Sequence, residues 1–515
     1  MHTPYARASQ AAPPVRAPLR SFARTLLAVV TAATLFGAAL AQSGALRVAL
    51  EPPVRLDPAF ASSDSEIAVL NAVYDYLVDV DVDNEVVPRL ASEWTITDDG
   101  LTYVFTLASG VSFHDGSPLT AADVVWTFDR LRDAELELPT ADLYANVVSI
   151  EATGALEVTF TLAEVNPDFL YDLSDNHALV VQAGAEGLGS VFNGTGPFVV
   201  DSYSVGDRMR LSANPDYFMP GKPGVETLEL IFFSDQVAGV DALRGGQVDL
   251  VMRMPTPLFL TLEGQPNLQT QVVATNAFDL VRLRSDRGPG ADPRVQQALK
   301  LALDVESIIG AVTLGYGTAS NNSPIGPLYG RWHDETLAAP AQDVERARAL
   351  LAEAGYGDGL SFDLHTPDSG DRPALASVLQ DQWAAIGVDV NVIVEPESVY
   401  YGDDGWLEVD LGITGWGSRP VPSFFLDVMV ACGAVWNEAH FCDPEVDALI
   451  AQARTAVDDD ARTDAYHGIQ AILAERGPYI IPYFFPQFGA ISDRFDGFAM
   501  KAFPGRTDLA AISLR

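Results

Sequence analysis

LASEWTITDDGLTYVFTLASGVSFHDGSPLTAADVVWTFDRLR, from Leu90 to Arg132, is the stretch whose reading decides the fold. Leu101, Tyr103, Phe105 and Leu107 alternate with Thr102, Val104 and Thr106, the period of a strand with one buried face. Asp98-Asp99-Gly100 before it and Ser109-Gly110 after it are turn chemistry, so the strand sits between two reversals. Thr120 followed three residues later by Asp123 predicts a capped helix start, and Val124, Phe128 and Leu131 form the inward stripe of that helix. His114 lies in a His-Asp-Gly turn. A ligand or base role would need partners, and no second His or Cys stands nearby at metal spacing, so His114 reads as a turn residue.

The spacing within this stretch is specific: Trp94 after Leu90-Ala91, Asp99-Gly100-Leu101-Thr102-Tyr103, Phe113-His114-Asp115-Gly116, then Leu119-Thr120-Ala121 with Asp123-Val124. It resembles the signature of the bacterial extracellular solute-binding proteins of the peptide-binding type, the dipeptide and oligopeptide receptors of ABC transporters. The resemblance implies an α/β fold of two lobes, a type II-like periplasmic binding protein, with an additional small α+β domain. Residues 42–79, 190–272 and 488–515 are then expected to form lobe I, 80–189 the accessory domain and 273–487 lobe II.

Arg7, Arg16, Arg20 and Arg24 precede an apolar run from Thr25 to Leu40, and Ala39-Leu40-Ala41 supplies a small-x-small cleavage pattern. Residues 1–41 therefore read as a secretory signal peptide, and Gln42 at the predicted cut disfavours a lipid anchor. No later stretch is apolar and long enough to span a bilayer; Gly477 to Ile491 comes nearest and is broken by three prolines. The expected location is periplasmic. Of 31 basic residues four fall in the leader, so 27 remain against 70 acidic ones, a mature charge of −43. Such a surface repels nucleic acid and anionic lipid, which removes both as partners. The two cysteines, Cys432 and Cys442, stand ten residues apart, and an exported compartment favours their pairing as a disulfide.

Leu46 to Leu50 reads as a first strand, Ser65 to Leu77 as a helix, and 80 to about 185 as mostly strands crossed by the capped helix. Asn193-Gly194-Thr195-Gly196-Pro197-Phe198 lacks the Gly-Lys-Ser/Thr of a phosphate loop; it resembles the family's Gly-Thr-Gly-Pro-Phe turn and is given a structural role. From Asp292 onward helices and strands alternate, which points to a second α/β lobe. Predicted helices there include 341–354, 372–386 and 459–476, with Val388, Val390, Val392 and Val394 alternating as a strand.

No Gly-x-Ser-x-Gly, His-Glu-x-x-His or Gly-x-x-x-x-Gly-Lys-Ser/Thr motif occurs, and the histidines are scattered, so no catalytic residue, metal site or cofactor is expected. Ligands of open α/β folds sit where loops leave the carboxyl ends of strands. Asp410 to Thr414 reads as such a strand and Gly415-Trp416-Gly417-Ser418-Arg419 as its loop. Trp416 is read two ways, as a ligand wall or as a core indole. Phe278 and Arg282, on the strand expected to cross between lobes, and Tyr400, Tyr401 and Trp406 complete the candidate binding set, each against a packing or surface alternative.

Peptide-binding family members carry Asp three residues after this Trp, where it pairs with the peptide amine; this chain has Arg419 there, and Val421 replaces the Asp of a second common version. A guanidinium favours a carboxylate or phosphate on the ligand. The alternative is an Arg419 that bonds loop carbonyls or a nearby carboxylate. Beyond the loop, Cys432, Asn437, Cys442 and Asp447 again match landmarks of dipeptide-binding members, in which the two cysteines are joined. The implied function is a monomeric receptor that binds a small solute, peptide-like above all, and delivers it to ABC permease subunits. Alternatives are a receptor for a sugar or metal-chelate and, in another class, a secreted hydrolase.

Overall fold

A computed structural model describes residues 44–515, apart from 137, 139, 142, 403, 404 and 504. The predicted signal peptide lies outside the described residues. Two lobes share one twelve-stranded mixed sheet, in which the strands Leu268–Leu283 and Tyr483–Ser492 run side by side from one lobe into the other. On one side of this pair Ala45–Leu50 lies parallel between Thr227–Phe232 and Leu250–Met252, extended by Arg208–Ala213 and Phe198–Ser204. On the other side Leu411–Trp416, Leu360–Pro367 and Val388–Glu395 form a parallel set. The register of the crossing pair breaks between Val273 and Ala277, opposite Gln487 and Phe485. Helices Pro293–Leu301, Val344–Glu353 and Arg372–Ala384 cover the second lobe, where Trp383 is fully buried and donates its indole N–H to the Leu299 carbonyl at 3.0 Å.

The opening stretch builds a separate antiparallel sheet in the order Ala91–Ile96, Thr102–Leu107, Glu157–Leu162, Val147–Gly154. Tyr103, Phe105 and Leu107 face inward, and the helix Ala121–Leu131 lays Val124, Phe128 and Leu131 on the same core. Asp123 accepts from both the amide and the hydroxyl of Thr120 at 2.8 Å. The core of this small sheet is continuous with that of the first lobe.

His114 is a docking residue. Its amide donates to the Gly194 carbonyl at 2.9 Å and its Nε2 meets the Gly196 carbonyl at 3.0 Å. Burial pushes its imidazole pKa down, against the Gly196 contact and the nearby Asp75 and Asp115 charges. The Asn193–Phe198 turn thus has the structural role expected of it, and it requires glycine. A Cβ on Gly194 would lie 1.9 Å from the Val73 carbonyl oxygen, and one on Gly196 would lie 2.4 Å from the Val73 carbonyl carbon. This turn also corrects the predicted helix Ser65 to Leu77. The observed helix is Asp64–Val73, because the Val73 carbonyl accepts from the Gly196 amide rather than continuing the ladder. A second correction concerns Trp416, which ends the strand Leu411–Trp416 instead of standing in the loop after it, since it pairs in register with Phe278.

Candidate ligand-binding cleft

The strand Leu411–Trp416 pairs antiparallel with Leu268–Leu283, which sets Trp416 beside Phe278 and Gly412 beside Arg282. Trp416 is only 7% exposed. Its ring packs on Phe278 and Phe425 at centroid distances of 6.4 and 6.0 Å, and its N–H donates to Glu438 at 3.2 Å. Glu438 is fully buried and also accepts from Arg282 Nε at 3.0 Å and from the Thr414 hydroxyl at 2.7 Å. The rest of the Arg282 guanidinium donates to the carbonyls of Val409, at 3.0 Å, and Trp406. Tyr400 is enclosed as well, its hydroxyl 3.0 Å from that of Thr414. Phe278, Arg282, Tyr400 and Trp416 are therefore enclosed, with Arg282, Tyr400 and Trp416 tied together through Glu438 and Thr414. Arg284, on the same strand face, is also buried and pairs with Asp286 and Glu408, so the two arginines are not a solvent-facing pair.

Three sequence-derived candidates keep exposed surface: Tyr401, 41% exposed, Trp406 and Arg419. Tyr401 and Trp406 meet edge-on at 5.7 Å. Arg419 lies at the other end of the loop, its guanidinium carbon 4.4 Å above the Phe424 ring. Its Nε is buried without a hydrogen-bond partner, and no carboxylate among the described residues pairs with its guanidinium. Burial pushes its pKa down from the ordinary value, only partly offset by the charge of Asp175 and by Tyr329. The alternative in which Arg419 bonds loop carbonyls therefore finds no contact to support it among the described residues.

Phe424 and Trp436 are absent from the sequence-derived set. Trp436 is 39% exposed, with centroids 6.0 Å from Trp416 and 6.4 Å from Phe424. Its position inside the ten-residue interval between the cysteines was the available signal. Cys432 and Cys442 form a disulfide. Asn437 stitches the loop they close, donating to the carbonyls of Phe441 at 2.7 Å and Ala431 at 3.0 Å and accepting from the Phe441 amide at 3.0 Å, while Asp447 accepts from the Cys432 amide at 3.0 Å. Cys432, Cys442 and Asp447 also lie close enough together for a metal, but sulfurs bonded to each other offer no thiolate.

Two residues distant in sequence hold this loop. Asn84 donates to the Pro420 carbonyl at 2.7 Å, and Asp168 accepts from the Ser423 hydroxyl at 2.6 Å and pairs with Arg462. Asp172 and Asp175 stand beside Asp168. Burial and then the Asp168 charge push Asp172 well above the usual carboxylate range. Burial would raise Asp175 also, but its bond to His177 outweighs that and holds it at about 2. A recess of about 580 Å³ beside Trp126, Arg130 and Leu136, and a small cavity of about 20 Å³ lined in part by Tyr74 and Tyr76, are lined by no residue of 415–423.

The family of bacterial extracellular solute-binding proteins, family 5, matches residues 85–437. The chain belongs to that family. Di/tripeptide-binding protein 1 of Pseudomonas aeruginosa (strain UCBPP-PA14) is 29% identical over 466 residues, 83% of this chain and 86% of the relative. The probable di/tripeptide-binding protein 5 of the same strain is 31% identical over 471 residues, 84% and 87% of the two chains. Among solved structures, the ABC transporter substrate-binding protein CtaP of Listeria monocytogenes superposes with a TM-score of 0.80 at 23% identity, over 92% of this chain and 99% of that one, which shows the shared fold. In this solute-binding protein no helix of the described residues is long and apolar enough to cross a membrane.

Proposed function

We propose that this solute-binding protein is the extracytoplasmic receptor of an ABC importer and takes a short peptide or peptide-like solute by an anionic group docked on Arg419. The peptide class is supported by the names of the relatives. The anionic contact is supported by one observation: the Arg419 guanidinium is half-buried, and no carboxylate among the described residues pairs with it, Asp175 acting only through its nearby charge; a sheltered cation without a bonded partner is costly. A ligand carboxylate matches its planar fork bidentately. Tyr401 and Trp406, which keep exposed surface, are the further candidate contacts, while Phe278, Arg282, Tyr400 and Trp416 are enclosed and support the strand from which the loop leaves.

In this reading the lobes comprise 42–79, 190–272 and 488–515 on one side and 273–487 on the other, with 80–189 as the accessory domain. The hinge lies in the crossing strands, where the register of Val273 and Gln487 breaks before Ala277. The protein performs no covalent chemistry, is exported as a monomer by a cleaved leader without a lipid anchor, and hands its solute to permease subunits.

The test is calorimetric titration of Ala-Ala and of Ala-Ala with an amidated carboxyl terminus. The free dipeptide should bind at least about tenfold tighter than the amide, and Arg419→Ala should weaken it by about 2–5 kcal/mol with little change in the unfolding of the ligand-free protein. Equal binding of the two peptides, or a large loss of ligand-free stability in Arg419→Ala, refutes the assignment.

A further inference from the structure

We infer that Trp436, carried by the disulfide-closed loop, selects the side chain next to the solute's carboxylate and favours short peptides with a large apolar carboxy-terminal residue. The inference rests on the reading that a carboxylate meets Arg419, and it concerns the neighbouring subsite.

Trp436 is 39% exposed, while Trp416, on which it packs, is enclosed. Trp436 is not loosely held. Its amide donates to the Val428 carbonyl at 2.8 Å, and the next residue, Asn437, makes the three bonds that tie the loop together. Inside the same closed loop Glu438 holds the indole of Trp416, on which Trp436 packs. The disulfide loop thus supplies both the outer indole and the carboxylate that fixes the inner one, so the position of Trp436 is pre-set before a solute arrives.

Phe424 links this indole to the cation. Its ring lies under the Arg419 guanidinium at 4.4 Å and beside Trp436 at 6.4 Å. An anion docked on Arg419 therefore has one aromatic ring between it and the open indole. A phenyl or branched aliphatic group would cover Trp436 while its carboxylate meets Arg419; an alanine methyl would not reach. Flat apolar contact is what an indole face offers, and its N–H adds one donor at the edge.

The experiment is calorimetric titration of the full-length mature protein with Ala-Phe, Ala-Ala and Ala-Phe amide, in the wild type, Trp436→Ala and Trp436→Phe. The wild type should bind Ala-Phe about tenfold or more tighter than Ala-Ala. In Trp436→Ala that ratio should fall to near one, and Trp436→Phe should keep most of it. Circular dichroism and thermal unfolding of each variant separate a lost contact from a lost fold, and Trp436→Gln, expected to lower the ratio as Trp436→Ala does, carries the test if the alanine variant does not fold. A wild-type ratio near one, or an unchanged ratio in Trp436→Ala, overturns the subsite. Equal binding of Ala-Phe and its amide, with the Ala-Phe preference intact, overturns instead the carboxylate contact at Arg419.

Discussion

Glu438→Ala should be among the most damaging substitutions in the second lobe, for a reason that lies in the arginine it would abandon. Glu438 and Arg282 are both fully buried, with Nε and the carboxylate 3.0 Å apart. Burial pushes the Glu438 pKa up even against Arg282, Thr414 and Trp416. A carboxylate raised in the folded state contributes stability that is complete below its unfolded value, about 4.3, and is lost as pH rises through the folded value. The ionised pair is therefore no large stabiliser at neutral pH. Removing one partner is another matter, because a guanidinium left without its anion in the interior costs about 3–5 kcal/mol. Thr414 and Trp416 would lose their acceptor as well. For a lobe of roughly 200 residues this corresponds to a midpoint lowered by about 6–20 °C. Glu438→Gln keeps the volume and one acceptor, and should lose about 1.5–3 kcal/mol. Urea unfolding followed by tryptophan fluorescence and far-UV circular dichroism at pH 7 measures both. A loss below about 1 kcal/mol for Glu438→Ala would refute the reasoning, since it would mean that the Val409 and Trp406 carbonyls alone satisfy Arg282.

Free-thiol titration of the unfolded, unreduced protein should find no thiol, and the double substitution Cys432→Ala/Cys442→Ala should cost about 2–3 kcal/mol for a loop this short; one or two reactive thiols would refute the pairing. Lys300 is buried, its Nζ donating to the Leu473 and Ala474 carbonyls at 2.8 and 3.3 Å, and burial lowers its pKa to about 7. The unfolded chain then holds the extra proton between about 7 and 10.4, so stability should rise with pH across that window, and Lys300→Met should flatten this component of the profile; equal slopes in the two proteins exclude it. Asp168→Asn removes the charge that pairs with Arg462 of the second lobe and should raise the radius of gyration of the ligand-free protein in small-angle scattering; an unchanged radius would show that this contact does not bias closure.

The parts of this structure that were legible in the sequence are those set by period and local chemistry. Tyr103, Phe105 and Leu107 alternate and are buried; Asp458 caps the helix Asp459–Arg476 where the stripe predicts it, and Val388–Glu395 follows its alternating valines. Boundaries slipped where a distant segment intervened. The Asp64–Val73 helix stops early because a turn 120 residues downstream takes the Val73 carbonyl, and no local signal marks that. The burial of the candidate residues was less legible than their types. Arg282 and Tyr400 are residue types that suit a ligand, and only the strand pairing and the arrival of Glu438 show them to be enclosed. Trp436 was passed over because a cysteine-bounded loop reads as a covalent staple first and as a ligand wall only once its neighbours are known.

The departure of the loop after Trp416 from the family pattern also has a physical setting. Its Pro420 carbonyl and Ser423 hydroxyl are held by Asn84 and Asp168 of the small domain, and Arg419 lies near Asp175. An aspartate at 419 would add another negative charge to a region that already contains Asp168, Asp172 and Asp175, and Asp172 is already pushed toward its neutral form there. Like charges at such spacing raise each other's proton affinity. An arginine at 419 instead lowers that field and leaves a cation for the solute. The sign of the residue at 419 and the acidity of the opposing domain are thus two sides of one electrostatic arrangement. On this argument Arg419→Asp would not restore an amine site. It should destabilise the lobe contact, and that loss should grow as rising pH ionises Asp172, which burial and the Asp168 charge hold toward its neutral form.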